Sequence, residues 1–97
     1  MQQIIIMKVK EIIEAGQGTI IDVRNPFELE GGAFPGAVNI PVNEIAFRID
    51  EIKKMPGPLV LYCRSGNRSG MAIGFLKSAG IETDMYNGGS YSDMLTL

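Results

Sequence analysis

Apolar positions along the chain alternate between short β-branched runs and stripes at helical spacing. Residues 4–7, "IIIM", read as a short strand. Val9, Ile12 and Ile13 then recur at helical spacing up to Gly16, with Gly18 beyond, which predicts a helix closed by glycine. Residues 19–23 are β-branched and apolar apart from Asp22, the pattern of a buried strand. Asn25-Pro26 breaks that strand, and Gly31-Gly32 and Pro35-Gly36 mark turns. Residues 37–40 predict another short strand, stopped by Pro41.

In the second half, Asn43 is placed to cap a helix carrying Ile45, Ile49 and Ile52, which ends at Pro56-Gly57-Pro58. Residues 59–62 form a strand that delivers Cys63. After a polar loop, Ala72, Phe75, Leu76 and Ala79 make a further helical stripe before Gly80, with the helix starting at Ser69 or a neighbour. Met85 and Tyr86 read as a last strand, Asn87-Gly88-Gly89 as a turn, and the remainder as a short helix. Strands separated by helices predict an α/β fold: a small, mostly parallel sheet of four to five strands with helices on both faces. No linker, repeat or low-complexity segment divides it, so residues 1–97 are expected to form one domain. In such sheets ligands bind beyond the carboxyl ends of strands, where Cys63 falls.

Composition narrows the chemistry mainly by what is missing. Nine basic and eleven acidic residues leave a formal charge of −2, so no basic field argues for nucleic acid or an anionic membrane surface. The chain has no histidine, which excludes Ser/His/Asp and Cys/His machinery and the commonest zinc ligand. Its single cysteine excludes an internal disulfide and a thiolate metal cluster, and no metal or cofactor is implied. The first apolar run is too short for a signal-peptide core, and none approaches a membrane span. A reduced, cytoplasmic setting is the expectation.

Cys63 sits among loop-forming and cationic residues, in "CRSGNRSG". If it ends a strand and a helix starts nearby, residues 63–68 curl between them. Backbone N–H groups there face inward and meet the positive end of the helix dipole, making an anion cradle. Gly66 permits the tight turn, Ser65, Asn67 and Ser69 add hydrogen-bonding groups, and Arg64 and Arg68 add charge. An ordinary thiol is only ~3% ionised at pH 7. Raising its acidity about a hundredfold takes roughly 2.7 kcal/mol, within reach of a dipole (~1) and charge-assisted N–H contacts (~1.5 to 3 each) without a histidine. The competing reading of Cys63 alone is an inert core thiol, and of the two arginines a solvated loop face. Asp22, Arg24 and Glu28 read as structural, an acid at the end of a buried strand pinned in an ion pair.

At this point the residues resemble a family. "IDVRNPFELEGGAFPGAVNIP", then "CRSGNRSGMAIGFLKSAG", then "YNGGS" are similar to a single-domain rhodanese over most of the chain. The resemblance implies a thiosulfate sulfurtransferase: the Cys63 thiolate takes the outer sulfur of a thiosulfate-like donor, becomes a persulfide, and passes the sulfur to a thiophilic acceptor in a ping-pong sequence. It implies Cys63 as nucleophile and Arg64, Ser65, Gly66, Asn67, Arg68 and Ser69 as the substrate-binding loop. The acceptor would be cyanide, a thiol, or a thioredoxin-like or other sulfur-accepting protein. The sequence departs from the family where Gly32-Ala33 replaces a glycine-histidine pair and where the last helix lacks tryptophan. Both positions read as structural. A C-x4-R loop is one residue shorter than the C-x5-R loop with which related phosphatases wrap phosphate, so a small cysteine phosphatase is the weakest alternative. A persulfide carrier serving a partner protein is the principal one.

Overall fold

The computed structural model describes residues 3–97. Four strands, β1 (Thr19–Asp22), β2 (Val38–Asn39), β3 (Leu59–Cys63) and β4 (Met85–Ser90), form one sheet in the order β2-β1-β3-β4, and every neighbouring pair is parallel. Around it lie α1 (Gln3–Glu14), α2 (Ile49–Lys53), α3 (Asn67–Ser78) and α4 (Tyr91–Leu95), with two short 3-10 helices at Pro26–Gly31 and Val42–Phe47. None of the described helices is long and apolar enough to cross a membrane.

Strand β3 explains why both sheet faces carry helices. All five of its residues are buried. Side chains alternate across a strand, so Leu59, Leu61 and Cys63 point into one core with Ile21, Ile40, Ile52, Ala72 and Leu76, under α2 and α3. Val60 and Tyr62 point the other way, onto Val9 and Ile12 of α1 and Met94 of α4. A strand apolar at every position satisfies two cores at once.

Several expectations need correcting. Residues 4–7 are not a strand but part of α1, which leaves four strands. Ile4 is 78% exposed and Met7 53% exposed, while Val9 and Ile12 alone on this helix are buried. The β-branched run therefore follows the helical period of the residues after it, and packing prevails over β-propensity. Asn43 caps nothing: Pro41 precedes a 3-10 helix, and Arg48 separates that helix from α2, so the isoleucine stripe is carried by two short elements. Strand β2 is only Val38–Asn39. Helix α3 begins at Asn67, two residues before Ser69.

Asn87-Gly88-Gly89 is not a turn but the middle of β4. Register slips there, with Leu61 opposite Asn87 and Tyr62 opposite Gly89, so that Gly88 is the extra residue of a bulge. A side chain at Gly88 would meet Met94 Sδ at 2.6 Å, which accounts for glycine inside a strand. Strand β4 runs directly into α4, whose start is capped reciprocally by Ser90 and Asp93, each accepting the other's backbone N–H at 2.9 Å.

Candidate active site

An all-parallel sheet sends every strand's carboxyl end to the same edge. The strand order turns between β1 and β3, so the segments after these two strands flank a crevice at that edge. Cys63, the last residue of β3, is wholly buried at that edge.

The loop after Cys63 closes over the sulfur. Gly66 caps α3 with φ 93°, a conformation unfavourable for a side chain, and its N–H donates to Cys63 Sγ at 2.9 Å. A Cβ on Gly66 would also lie 3.3 Å from Gly89 Cα, so the loop and the β4 bulge touch backbone to backbone. Ser69, fully buried in the first turn of α3, sets its hydroxyl 3.6 Å from Sγ. Burial pushes the thiol up, yet the N–H and hydroxyl of Ser69 and the N–H groups of Ser65 and Gly66 outweigh it and leave Cys63 more acidic than an ordinary cysteine.

The Ser69 hydroxyl has one proton and three acceptors in reach: Asn87 Oδ1 at 2.8 Å, Gly66 O at 3.1 Å and Cys63 Sγ at 3.6 Å. Asn87 ties these groups together. Its Nδ2 donates to Gly66 O at 3.0 Å and its Oδ1 also accepts from Gly89 N at 2.9 Å. Sequence reasoning missed Asn87 because an asparagine before two glycines reads as a turn. Only the bulge reveals its contact with the loop.

The two arginines differ. Arg68 is held by Glu28, with Nη1 to Oε1 at 2.6 Å and Nη2 to Oε2 at 2.9 Å, a bidentate pair across forty residues of sequence. That pairing, more than proximity to Arg24, pulls the Glu28 carboxyl down to about 2, and it pushes the Arg68 guanidinium up. Nearness to Cys63 raises Arg68 further, after Glu28, although its hydrogen bonds go to Glu28. Arg64 is exposed and makes no ion pair or side-chain hydrogen bond among the described residues. Ser65 and Asn67 are exposed too, with Asn67 N donating to Ser65 Oγ at 3.3 Å.

Beneath the loop lies a polar network that the sequence reading took as structural. The Asp22 carboxylate, 1% exposed, accepts from Arg24 Nη2 at 2.7 Å, Arg24 Nε at 3.0 Å and the Tyr62 hydroxyl at 2.6 Å. Arg24 also donates to Gly32 O at 2.9 Å and lies 4.6 Å above the Tyr91 ring. Tyr62 accepts from Phe34 N at 2.9 Å. Burial first, then Asp22, raises its hydroxyl to about 12, so it stays a neutral donor. The network clamps the segment after β1, which carries Glu28 and hence Arg68.

Comparison with known proteins agrees with this arrangement. A family model described as "Rhodanese-like domain" matches residues 7–93. The chain is 40% identical over 88 residues to the uncharacterized protein YqhL of Bacillus subtilis, covering 89% of this chain and 68% of that one. It is 39% identical over 61 residues to a sulfurtransferase of Allochromatium vinosum, covering 63% of this chain and 56% of the relative. Among solved structures, the human single-domain sulfurtransferase TSTD1 superposes with a TM-score of 0.71 at 27% identity, over 93% of this chain and 91% of that one. With its four-stranded parallel sheet and the thiol cradled at the end of β3, this chain belongs to the rhodanese-like domain family.

Proposed function

We propose that this protein is a sulfurtransferase that moves a sulfane sulfur from thiosulfate, or a similar anionic donor, through a persulfide on Cys63. The observation that carries the reading is an acidified thiol at the carboxyl end of a parallel strand, with the Gly66 N–H 2.9 Å from its sulfur. Family membership and sulfurtransferase relatives support a sulfurtransferase or sulfur-carrier role in general. In the first half-reaction the Cys63 thiolate attacks the outer sulfur of the donor. The S–S bond of the donor breaks, sulfite leaves with its electron pair, and Cys63 is left as a persulfide. Ser65, Gly66, Asn67 and Ser69 supply donors to the anion, Arg68 supplies charge from its position on Glu28, and Arg64 stands at the mouth.

The test is mass spectrometry after incubation with thiosulfate. The protein should gain one sulfur atom and lose it to cyanide or a reducing thiol, while Cys63→Ser stays unmodified. An unchanged mass with an intact thiol overturns the reading.

A carrier reading is supported by one finding, similarity to the putative sulfur carrier protein YrkF of Bacillus subtilis, 36% identical over 63 residues, 65% of this chain and 34% of that one. Saturable turnover with thiosulfate and cyanide alone supports the enzyme. Dependence on a partner protein supports the carrier.

A further inference from the structure

Resting on that reading, we infer that Asn87 is a positioning residue for the sulfur chemistry: its side-chain carbonyl holds the Ser69 hydroxyl while Cys63 Sγ is uncharged, and gives it up to Sγ when charge arrives there. Asn87 is the register partner of Leu61, whose side chain shares a core with Cys63, so Asn87 falls on the Cys63 face of the sheet. Its amide can point only one way. Gly66 O, 3.0 Å from Nδ2, can only accept, and Gly89 N, 2.9 Å from Oδ1, can only donate. The acceptor end therefore faces Ser69, whose Oγ lies 2.8 Å from Oδ1 and 3.6 Å from Sγ.

Release of the hydroxyl leaves nothing unpaired. When it turns to Sγ, Oδ1 keeps the Gly89 N–H, and Gly66 O keeps both Asn87 Nδ2 and the Gly70 N–H. A neutral thiol at 3.6 Å is a weak acceptor, so the amide carbonyl at 2.8 Å takes the hydrogen bond. A thiolate is a charged acceptor and wins it. The charged groups on the elements around the thiol are Arg64 and Arg68 in the loop and α3, Asp22, Arg24 and Glu28 on the β1 side, and Asp93 on α4. None of these, nor Tyr62 or Tyr91, hydrogen-bonds the side chain of Ser69 or Asn87 among the described residues. Substitution at Asn87 therefore leaves every other charge in place.

Over one round of transfer the hydroxyl moves with the charge. It donates to Sγ in the free thiolate. Once the outer sulfur of the donor is attached, the charge sits one S–S bond (~2 Å) further out, Sγ is neutral, and the hydroxyl returns to Asn87. When cyanide attacks the outer sulfur, the bond to Sγ breaks with its electron pair going to Sγ, thiocyanate leaves, and the hydroxyl follows the charge back. Ser69 keeps its proton throughout. By holding the hydroxyl in the uncharged state, Asn87 opposes ionisation of Cys63 by the worth of that hydrogen bond, so removing its carbonyl favours the thiolate. A residue that merely propped up the loop would act in the opposite direction.

The experiment is a double-mutant cycle read by thiolate ultraviolet absorbance against pH, with Cys63→Ser as the blank. Asn87→Ala should make ionisation of Cys63 about fivefold more favourable, the worth of one ordinary hydrogen bond, and should change nothing when combined with Ser69→Ala. Asn87→Asp keeps the size and strengthens the acceptor, so the midpoint should rise, and rise further with the Ser69 hydroxyl present than in Ser69→Ala. This second variant decides the matter if Asn87→Ala does not fold. Shifts that are the same with and without the hydroxyl, or a higher midpoint in Asn87→Ala, overturn the assignment. Sulfur uptake is read separately by mass: a parent protein whose thiol titrates as expected but gains no sulfur from thiosulfate overturns the sulfurtransferase reading and leaves the coupling of Asn87, Ser69 and Cys63 standing.

Discussion

The Ser69 hydroxyl offers the sharpest test of how Cys63 is activated. Ser69→Ala removes one group and orphans no other. Asn87 Oδ1 keeps the Gly89 N–H at 2.9 Å, and Gly66 O keeps Asn87 Nδ2 at 3.0 Å and the Gly70 N–H at 3.1 Å. Stability should therefore fall by no more than ~1 kcal/mol, the net worth of an ordinary hydrogen bond. The thiolate loses more, because a donor to a charged group contributes ~1.5 to 3 kcal/mol and the wild-type hydroxyl is free to turn from Asn87 to the sulfur when charge appears. Taking the lower end, since 3.6 Å is long, ionisation of Cys63 should become about tenfold less favourable. The assay is thiolate ultraviolet absorbance against pH, with Cys63→Ser as the blank that subtracts tyrosine. The midpoint should move to higher pH while Ser69→Thr, which keeps the hydroxyl, stays nearer wild type. A midpoint unmoved in Ser69→Ala would refute the hydroxyl as a thiolate donor and leave the backbone N–H groups as the whole cause.

Cys63→Ser should keep the fold and abolish sulfur uptake, because no base lies beside the hydroxyl to ionise it; circular dichroism and intact mass check the two halves of that statement. Gly66→Ala forces a side chain into φ 93° and against Gly89, so sulfur uptake should fall steeply and stability by about 1 to 2 kcal/mol, read from chemical denaturation. Glu28 has its carboxyl lowered from 4.5 to about 2, so the stability it contributes is present above pH 4.5 and lost as pH falls towards 2. Glu28→Gln should thus lower Tm at neutral pH by several degrees, with the gap closing as the wild type is acidified; parallel Tm curves across that window would refute the linkage. Tyr62→Phe leaves the Phe34 N–H without an acceptor and takes one donor from buried Asp22, a loss of about 1 to 3 kcal/mol in equilibrium unfolding.

What the sequence determined by itself rests on local chemistry. An apolar run ending at Cys63, a glycine where the loop must turn, and polar residues at the start of a helical stripe need no distant contact to be read. From them the strand, the cradle and the position of the thiol at the sheet edge were legible. The fates of the other residues depended on long-range packing. Residues 4–7 have strand-like composition, and only the burial of Val9 and Ile12 against β3 makes them helix. Asn87-Gly88-Gly89 has turn composition, and only the pairing of β4 with β3, one residue out of register, draws it into the sheet and turns Asn87 toward Ser69. Arg64 and Arg68 look alike in sequence. Glu28, forty residues before Arg68, takes up one of them and leaves the other uncompensated among the described residues, because parallel strand order brings the segments after β1 and β3 together at one edge. Local patterns specify conformation, whereas which charge is neutralised depends on the meeting of distant segments, and that is decided only when the sheet is assembled.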